Sequence, residues 1–181
     1  MVALGGAGCA ELGRVPDVQP ADRAALAQPF EAEGRLSVRR GSTGATSQFD
    51  WTHDGTTDTI VLTSPLGQTI ARLSGGTAGA RAEMADGRVE TADDWDTLTA
   101  RTLNLPLPVG GFAAWFRGLP REGSSSTVER DPQHRTALLR QDGWEILYTY
   151  PDNEAQRASR LVLRYLDTEP IEVRVVVDRW Q

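Results

Sequence analysis

The chain offers few residues for reaction chemistry. Its two histidines, His53 in WTHDG and His134 in DPQHRT, stand in polar surroundings that read as exposed loops. A zinc site needs three or four ligands at recognisable spacing, and no Cys pair, His-x-x-x-His step or Glu-flanked histidine occurs, so no metal site is expected. A nucleophilic serine in a Gly-x-Ser-x-Gly elbow is also missing, and the run GSSST at 123–127 reads as a flexible loop. A Ser-His-Asp group assembled from distant positions stays open at this level. The pair Asp93-Asp94 is explained more simply by a helix dipole than by acid–base work. All 19 basic residues are arginine, so a Walker A loop and a lysine Schiff base are excluded. No catalytic residue and no cofactor is expected.

The single cysteine, Cys9, cannot form an internal disulfide. It follows an apolar, small-residue stretch, MVALGGAG, and so resembles the bacterial lipoprotein signal, in which that cysteine receives lipid and becomes the first mature residue. Gly6 stands where that pattern prefers a leucine-like residue, with Leu4 further back. The charged region and full apolar run of a signal are missing, so residues 1–8 read as a signal remnant whose start lies further upstream. The other reading is a chance cysteine in a frayed terminus. Ala10 is not the aspartate that, in the enteric pattern, retains a lipoprotein at the inner membrane. Residues 9–29 read as a tether, with a short helix after Pro20.

The elements that follow must be positioned by one body, residues 30–181. A chain of 181 residues with 39% hydrophobic and 24% charged composition fits a single globular domain. Its formal charge of −6, with arginines scattered from Arg14 to Arg179, offers no continuous basic face, so no nucleic-acid partner is expected. No apolar run approaches the roughly 18 residues of a membrane-spanning helix. Apolar and polar residues alternate in RLSVR, SQFDWT, TIVLT, WEILYTY, RLVLRY and IEVRVVVDRW, which predicts half-buried antiparallel strands. Turns are expected at Gly41 to Gly44, Asp54-Gly55, Pro65 to Gly67, Gly75-Gly76 and Asp86-Gly87. Between the two groups of strands, TADDWDTLTARTL and FAAWFRGL read as short helices, joined by NLPLPVGG and stopped by Gly118 and Pro120. Strands shared around one helical insert predict a mainly β (α+β) fold: an incomplete antiparallel β-barrel with helices on its concave side. Periodicity does not separate a filled barrel from one holding an apolar ligand.

Four blocks, VLTSPLGQT, TADDWDTLTARTLNLPLPVGGFAAWFRGLP, DGWEILYTY and VVVDRW, resemble in order and spacing the outer-membrane lipoprotein receptor family LolB. With EGRLSVR and FDW at the front, the resemblance runs from about Phe30 to Trp180. It implies a helical lid over an apolar cavity that holds lipoprotein acyl chains. It also implies a periplasmic carrier, LolA, as donor and the inner leaflet of the outer membrane as destination. By the same implication Cys9 is the lipidated residue and the Pro65-Leu66-Gly67 tip touches the bilayer. The expected cavity residues are Trp51, Leu98, Leu105, Phe112, Trp115, Trp144, Ile146, Tyr148, Leu163 and Val175, any of which is otherwise plain core. Arg35 is expected either to hold the lid through its guanidinium donors or to form a surface ion pair. The protein is expected to act as a monomer. A generic apolar-ligand lipoprotein and a lipid hydrolase remain the alternatives.

Overall fold

The computed structural model describes residues 24–103, 109–166 and 170–181; Cys9, most of the 9–29 tether and Leu105 lie outside them. In chain order the elements are β1 (Phe30–Arg40), β2 (Thr43–His53), β3 (Thr57–Thr63), β4 (Thr69–Gly76), β5 (Gly79–Met84) and β6 (Val89–Ala92). Next come the helices α1 (Trp95–Leu103) and α2 (Val109–Phe116), then β7 (Ser126–Arg130), β8 (Thr136–Gln141), β9 (Trp144–Thr149), β10 (Arg160–Tyr165) and β11 (Ile171–Trp180).

The strands form one antiparallel sheet in the order β6-β5-β4-β3-β2-β1-β11-β10-β9-β8-β7. First and last strands therefore meet in the middle, with Leu36 opposite Val175 and Val38 opposite Val173. The edges are β6 and β7, which do not pair with each other, so the barrel is open. Both helices lie in the connection between those edges.

Alternation sets which side chains enter the concave face. Phe49 and Trp51 in β2, Ile146 and Tyr148 in β9, and Val173, Val175 and Val177 in β11 are all buried, whereas the positions between and beside them point outward and include Asp50, Glu145, Glu172, Arg174 and Asp178. The convex face is laced by arginine–carboxylate pairs such as Arg164–Glu172–Arg174. Asp94 starts α1: its carboxylate accepts the Thr97 amide at 2.7 Å, which satisfies an amide that the helix leaves unpaired. Gly118, at φ 76°, follows α2 and lets the chain turn away.

Two expectations need correction. His53 is not in an exposed loop: it ends β2, faces inward and is buried, because the Trp51 alternation continues one step further than its polar neighbours suggest. Gly75-Gly76 is not a turn either; both residues belong to β4. Gly75 is small for a different reason, since a Cβ there would come within 2.8 Å of the Trp95 indole.

Candidate functional site

The sheet interior is unevenly filled. Under β8 and β9, Leu139, Trp144 and Ile146 are buried, and the Trp115 ring of α2 lies 6.3 Å from that of Trp144. Tyr148 donates its hydroxyl to the Trp115 carbonyl at 2.7 Å. The Trp115 indole N–H donates to Gln141 Oε1 at 2.8 Å, and Gln141 Nε2 in turn donates to the carbonyls of Arg121 and Ser124. Every polar arm of this buried glutamine is thus used, and α2 is bound to one edge of the sheet. Meanwhile α1 packs on β5 and β6 at the other edge, with Trp95 against Gly75 of β4. The two helices bridge the gap that strand pairing leaves.

Under β1 to β4 the interior stays hollow. A cavity of about 610 Å³ is walled by Leu36, Val38, Phe49, Trp51, Ile60 and Leu62 on one side and by Leu161, Leu163, Val173 and Val175 on the other. Thr99, Phe112, Trp115 and Phe116 contribute from the helices. Its volume is that of a small-molecule or lipid-chain site. An aromatic cluster stops the far end: Phe116 lies 4.8 Å from Trp51 and 4.7 Å from Trp180, and Phe30 lies 5.2 Å from Trp51. At the other end the cavity reaches Arg40, Thr43, Thr46 and Ile70, where β1, β2, β3 and β4 meet their hairpin turns. Among the described residues, Arg40 is the one charged side chain in the lining.

The same end carries the Pro65-Leu66-Gly67 tip. Ser64 closes the turn, its carbonyl accepting the Gly67 amide at 2.8 Å and its amide donating to Gln68 O at 2.7 Å. Gly67 adopts φ 82°. Leu66 between them is 89% exposed. The leucine is therefore aimed into solvent by a turn that is satisfied without it.

Of the cavity residues expected from sequence, Trp51, Phe112, Trp115, Leu163 and Val175 line the hollow. Leu98, Trp144, Ile146 and Tyr148 are buried in the filled half and do not line it; where α2 docks decides this, and periodicity carries no signal for it. Leu105 lies outside the described residues. Several lining residues that were not singled out, Leu36, Val38, Phe49 and Ile60 among them, had the same alternation signal as those that were. Arg35 does not reach the lid. Leu36 and Val38 point inward, so Arg35 must point outward, where it holds Asp178 through two hydrogen bonds of 2.9 and 3.1 Å.

His53 Nδ1 lies 2.9 Å from Asp58 Oδ1 and Nε2 3.3 Å from the Leu26 carbonyl, so neither ring nitrogen is turned to a serine. The same Asp58 oxygen accepts the Trp51 indole N–H at 2.7 Å. His134 sits exposed in the β7–β8 turn at φ 62°. Among the described residues no cluster of metal-ligating side chains occurs, and no helix is long and apolar enough to cross a membrane.

A family model described as outer membrane lipoprotein LolB matches residues 28–180. The outer-membrane lipoprotein LolB of Thiobacillus denitrificans is 36% identical over 179 residues, covering 99% of this chain and 92% of that protein. The one from Chromobacterium violaceum is 34% identical, covering 90% and 86%. Among solved structures, a LolA superfamily protein from Nitrosomonas europaea superposes with a TM-score of 0.57 at 9% identity, covering 86% of each chain. A DUF1329 family protein from Desulfovibrio piger superposes with a TM-score of 0.58 at 8% identity, covering 92% and 93%. At such identities these structures speak to the fold alone.

Proposed function

This chain belongs to the outer-membrane lipoprotein LolB family, and from that premise we propose that it is an outer-membrane receptor which takes lipoproteins from a LolA-like periplasmic carrier and delivers them to the inner leaflet. The observation that carries the proposal is the apolar cavity opening at the end of the sheet where Leu66 stands exposed.

The physical need is large. A buried methylene is worth about 0.8 kcal/mol, so an acyl chain of roughly sixteen carbons would strand about 12 kcal/mol of apolar surface in water. A lipoprotein in transit must keep its chains covered. Transfer between two open barrels then runs on differential affinity for the chains. Phe112 and Trp115 on α2 and the β1–β4 wall supply the cover.

Delivery needs a different device. One leucine entering an apolar phase gains only about 1.5–3 kcal/mol, too little to anchor a protein. Anchoring therefore belongs to lipid on Cys9, and Leu66 enters the leaflet during delivery. Leu166 and Val89, two of the other exposed large apolar residues, stand at the same end of the sheet by strand direction, which supports orientation of that end toward the bilayer. The protein works as a monomer in this reading, with one cavity per cargo.

The test is transfer of a labelled lipoprotein from loaded carrier to this protein and to its Leu66→Glu variant, with liposomes present or absent. Both forms should accept cargo, and only the parent should pass it to liposomes. Acceptance by neither form sinks the receptor role. Binding of free fatty acids without exchange from the carrier points instead to a generic apolar-ligand protein.

A further inference from the structure

The cavity mouth has two unlike lips. The β1–β2 hairpin presents Arg40, Thr43 and Thr46, a polar lip. The β3–β4 hairpin presents Leu62 and Ile70, an apolar one.

Ile70 owes its place to an irregularity. Along the β3–β4 ladder Leu62 pairs with Ala71 and Thr63 pairs with Thr69, so β4 contains one residue more than β3, and that residue is Ile70. Ala71 and Leu73 occupy the inward positions of β4, and strict alternation would turn Ile70 to the convex side. A bulge breaks the alternation and re-aims the extra side chain. Ile70 accordingly lines the cavity while remaining 37% exposed at the mouth. Its backbone is held in that position, since the Ile70 carbonyl accepts the Ala85 amide of the β5–β6 turn at 2.9 Å.

Among the described residues, the other ways out for an acyl chain are obstructed. Trp95 against Gly75 ties α1 to β4, and Trp115 bonded to Gln141 ties α2 to β8. The β8–β9 side is filled by Trp144 and Ile146, and the far end by the Phe30, Trp51, Phe116 and Trp180 rings. An apolar chain leaving over Arg40 would cross charge. Leaving over Ile70, it stays on apolar surface along the hairpin whose tip carries Leu66.

We propose that Ile70 is the threshold of the cavity, a positioning residue over which acyl chains slide out along the β3–β4 hairpin toward the leaflet that Leu66 enters. The proposal rests on the receptor reading and specifies its exit route.

The experiment uses the full chain with a diacylated lipoprotein presented by its periplasmic carrier, and liposomes of phosphatidylethanolamine and phosphatidylglycerol. Ile70→Asn should deliver cargo to liposomes at least tenfold more slowly than the parent, a loss larger than any it shows in cargo uptake. Ile70→Leu should deliver at the parent's rate. Delivery by Ile70→Asn within twofold of the parent overturns the proposal, and so does joint loss of uptake and delivery, which marks a plain wall residue. A second measurement does not depend on that variant folding. Cargo carrying a diazirine in its acyl chain should, on liposome addition, label Leu62 and Ile70 of the unaltered protein. Labelling that bypasses Ile70 in favour of residues on the β1–β2 hairpin also overturns it. If the unaltered protein accepts no cargo at all, the receptor reading itself fails, a result separate from any behaviour of Ile70.

Discussion

The indole N–H of Trp115 and the side-chain carbonyl of Gln141 meet at 2.8 Å inside the barrel, with both residues buried. One hydrogen bond thereby fastens the lid to the sheet at the end of β8. The same glutamine also accepts the Arg121 amide at 2.9 Å, so the chain leaving the lid is fastened at the same point.

Gln141→Ala should leave the Trp115 N–H and the Arg121 and Ser124 groups without their partner. A buried donor or acceptor left unpaired costs about 1–3 kcal/mol. Urea unfolding should therefore shift to lower denaturant by that amount, and acyl uptake should speed up as the lid loosens. An unchanged midpoint would show that Gln141 does not lock the lid.

Gly75→Ala should be destabilising although the site lies within a strand that favours any side chain over glycine. The new methyl meets the Trp95 ring at 2.8–2.9 Å and the Gly79 carbonyl at 2.9 Å, and overpacking of this kind costs about 1–3 kcal/mol. A melting temperature equal to the parent's would contradict the Trp95–Gly75 contact.

Ala45→Trp should fill the mouth without touching the packed half. Ala45 lines the cavity from an exposed position opposite Val38. Uptake of a labelled lipoprotein should fall at least tenfold while urea unfolding stays within about 0.5 kcal/mol, the usual range for surface changes. Normal uptake would place the chains elsewhere.

Arg117 is a different case. Its guanidinium stacks 4.6 Å over the Phe30 ring and one nitrogen donates to the Ala25 carbonyl, but Nε and Nη2 have no hydrogen-bond partner among the described residues. Burial lowers its pKa from the usual arginine value, countered by Asp58. Arg117→Met keeps the stacking volume and removes the unpaired donors, so stability should be unchanged or higher by about 1 kcal/mol. A clear loss in urea unfolding would show that the cation is needed.

Acid should weaken the fold below the ordinary carboxylate range. Backbone donation from Thr56 and Thr57 lowers the Asp54 pKa, donation from Thr97 lowers that of Asp94, and Arg164 with Arg174 lowers that of Glu172. Folded values below unfolded ones mean that this stability is complete above about pH 4 and is lost as pH falls through the depressed values. Asp96 acts in the opposite sense, its pKa raised chiefly by desolvation against the pull of Arg121. Thermal melts should stay level from neutrality to about pH 5 and decline below pH 4. Asp94→Asn, which still caps α1, should reduce that decline; an identical pH profile would remove Asp94 from the account.

Legible in the sequence were six strands (β1, β2, β3, β9, β10 and β11), the two helices, their place between two runs of strands, and the inward identity of residues such as Trp51, Ile146 and Val175, whereas β4 to β8 were not singled out. Alternation is a local property of a pleated strand, so it survives without knowledge of neighbours. It also contained the answer for Arg35, whose position between inward residues excludes the lid. The Pro-Leu-Gly turn was legible as a turn, but the direction of Leu66 was not, because a leucine's choice between core and solvent depends on what lies beside the turn.

Which half of the barrel is hollow depends on how the helices dock on the sheet. Trp144 and Leu163 carry the same pattern; Trp115 packs on the first and leaves space before the second, a consequence of where α2 is tied by Gln141 and Tyr148. His53 was misread because its partners, Asp58 and the Leu26 carbonyl, come from another strand and from the chain before β1. Ile70 had no local signal at all: a bulge is a mismatch between two strands, and a mismatch exists only once both strands are paired.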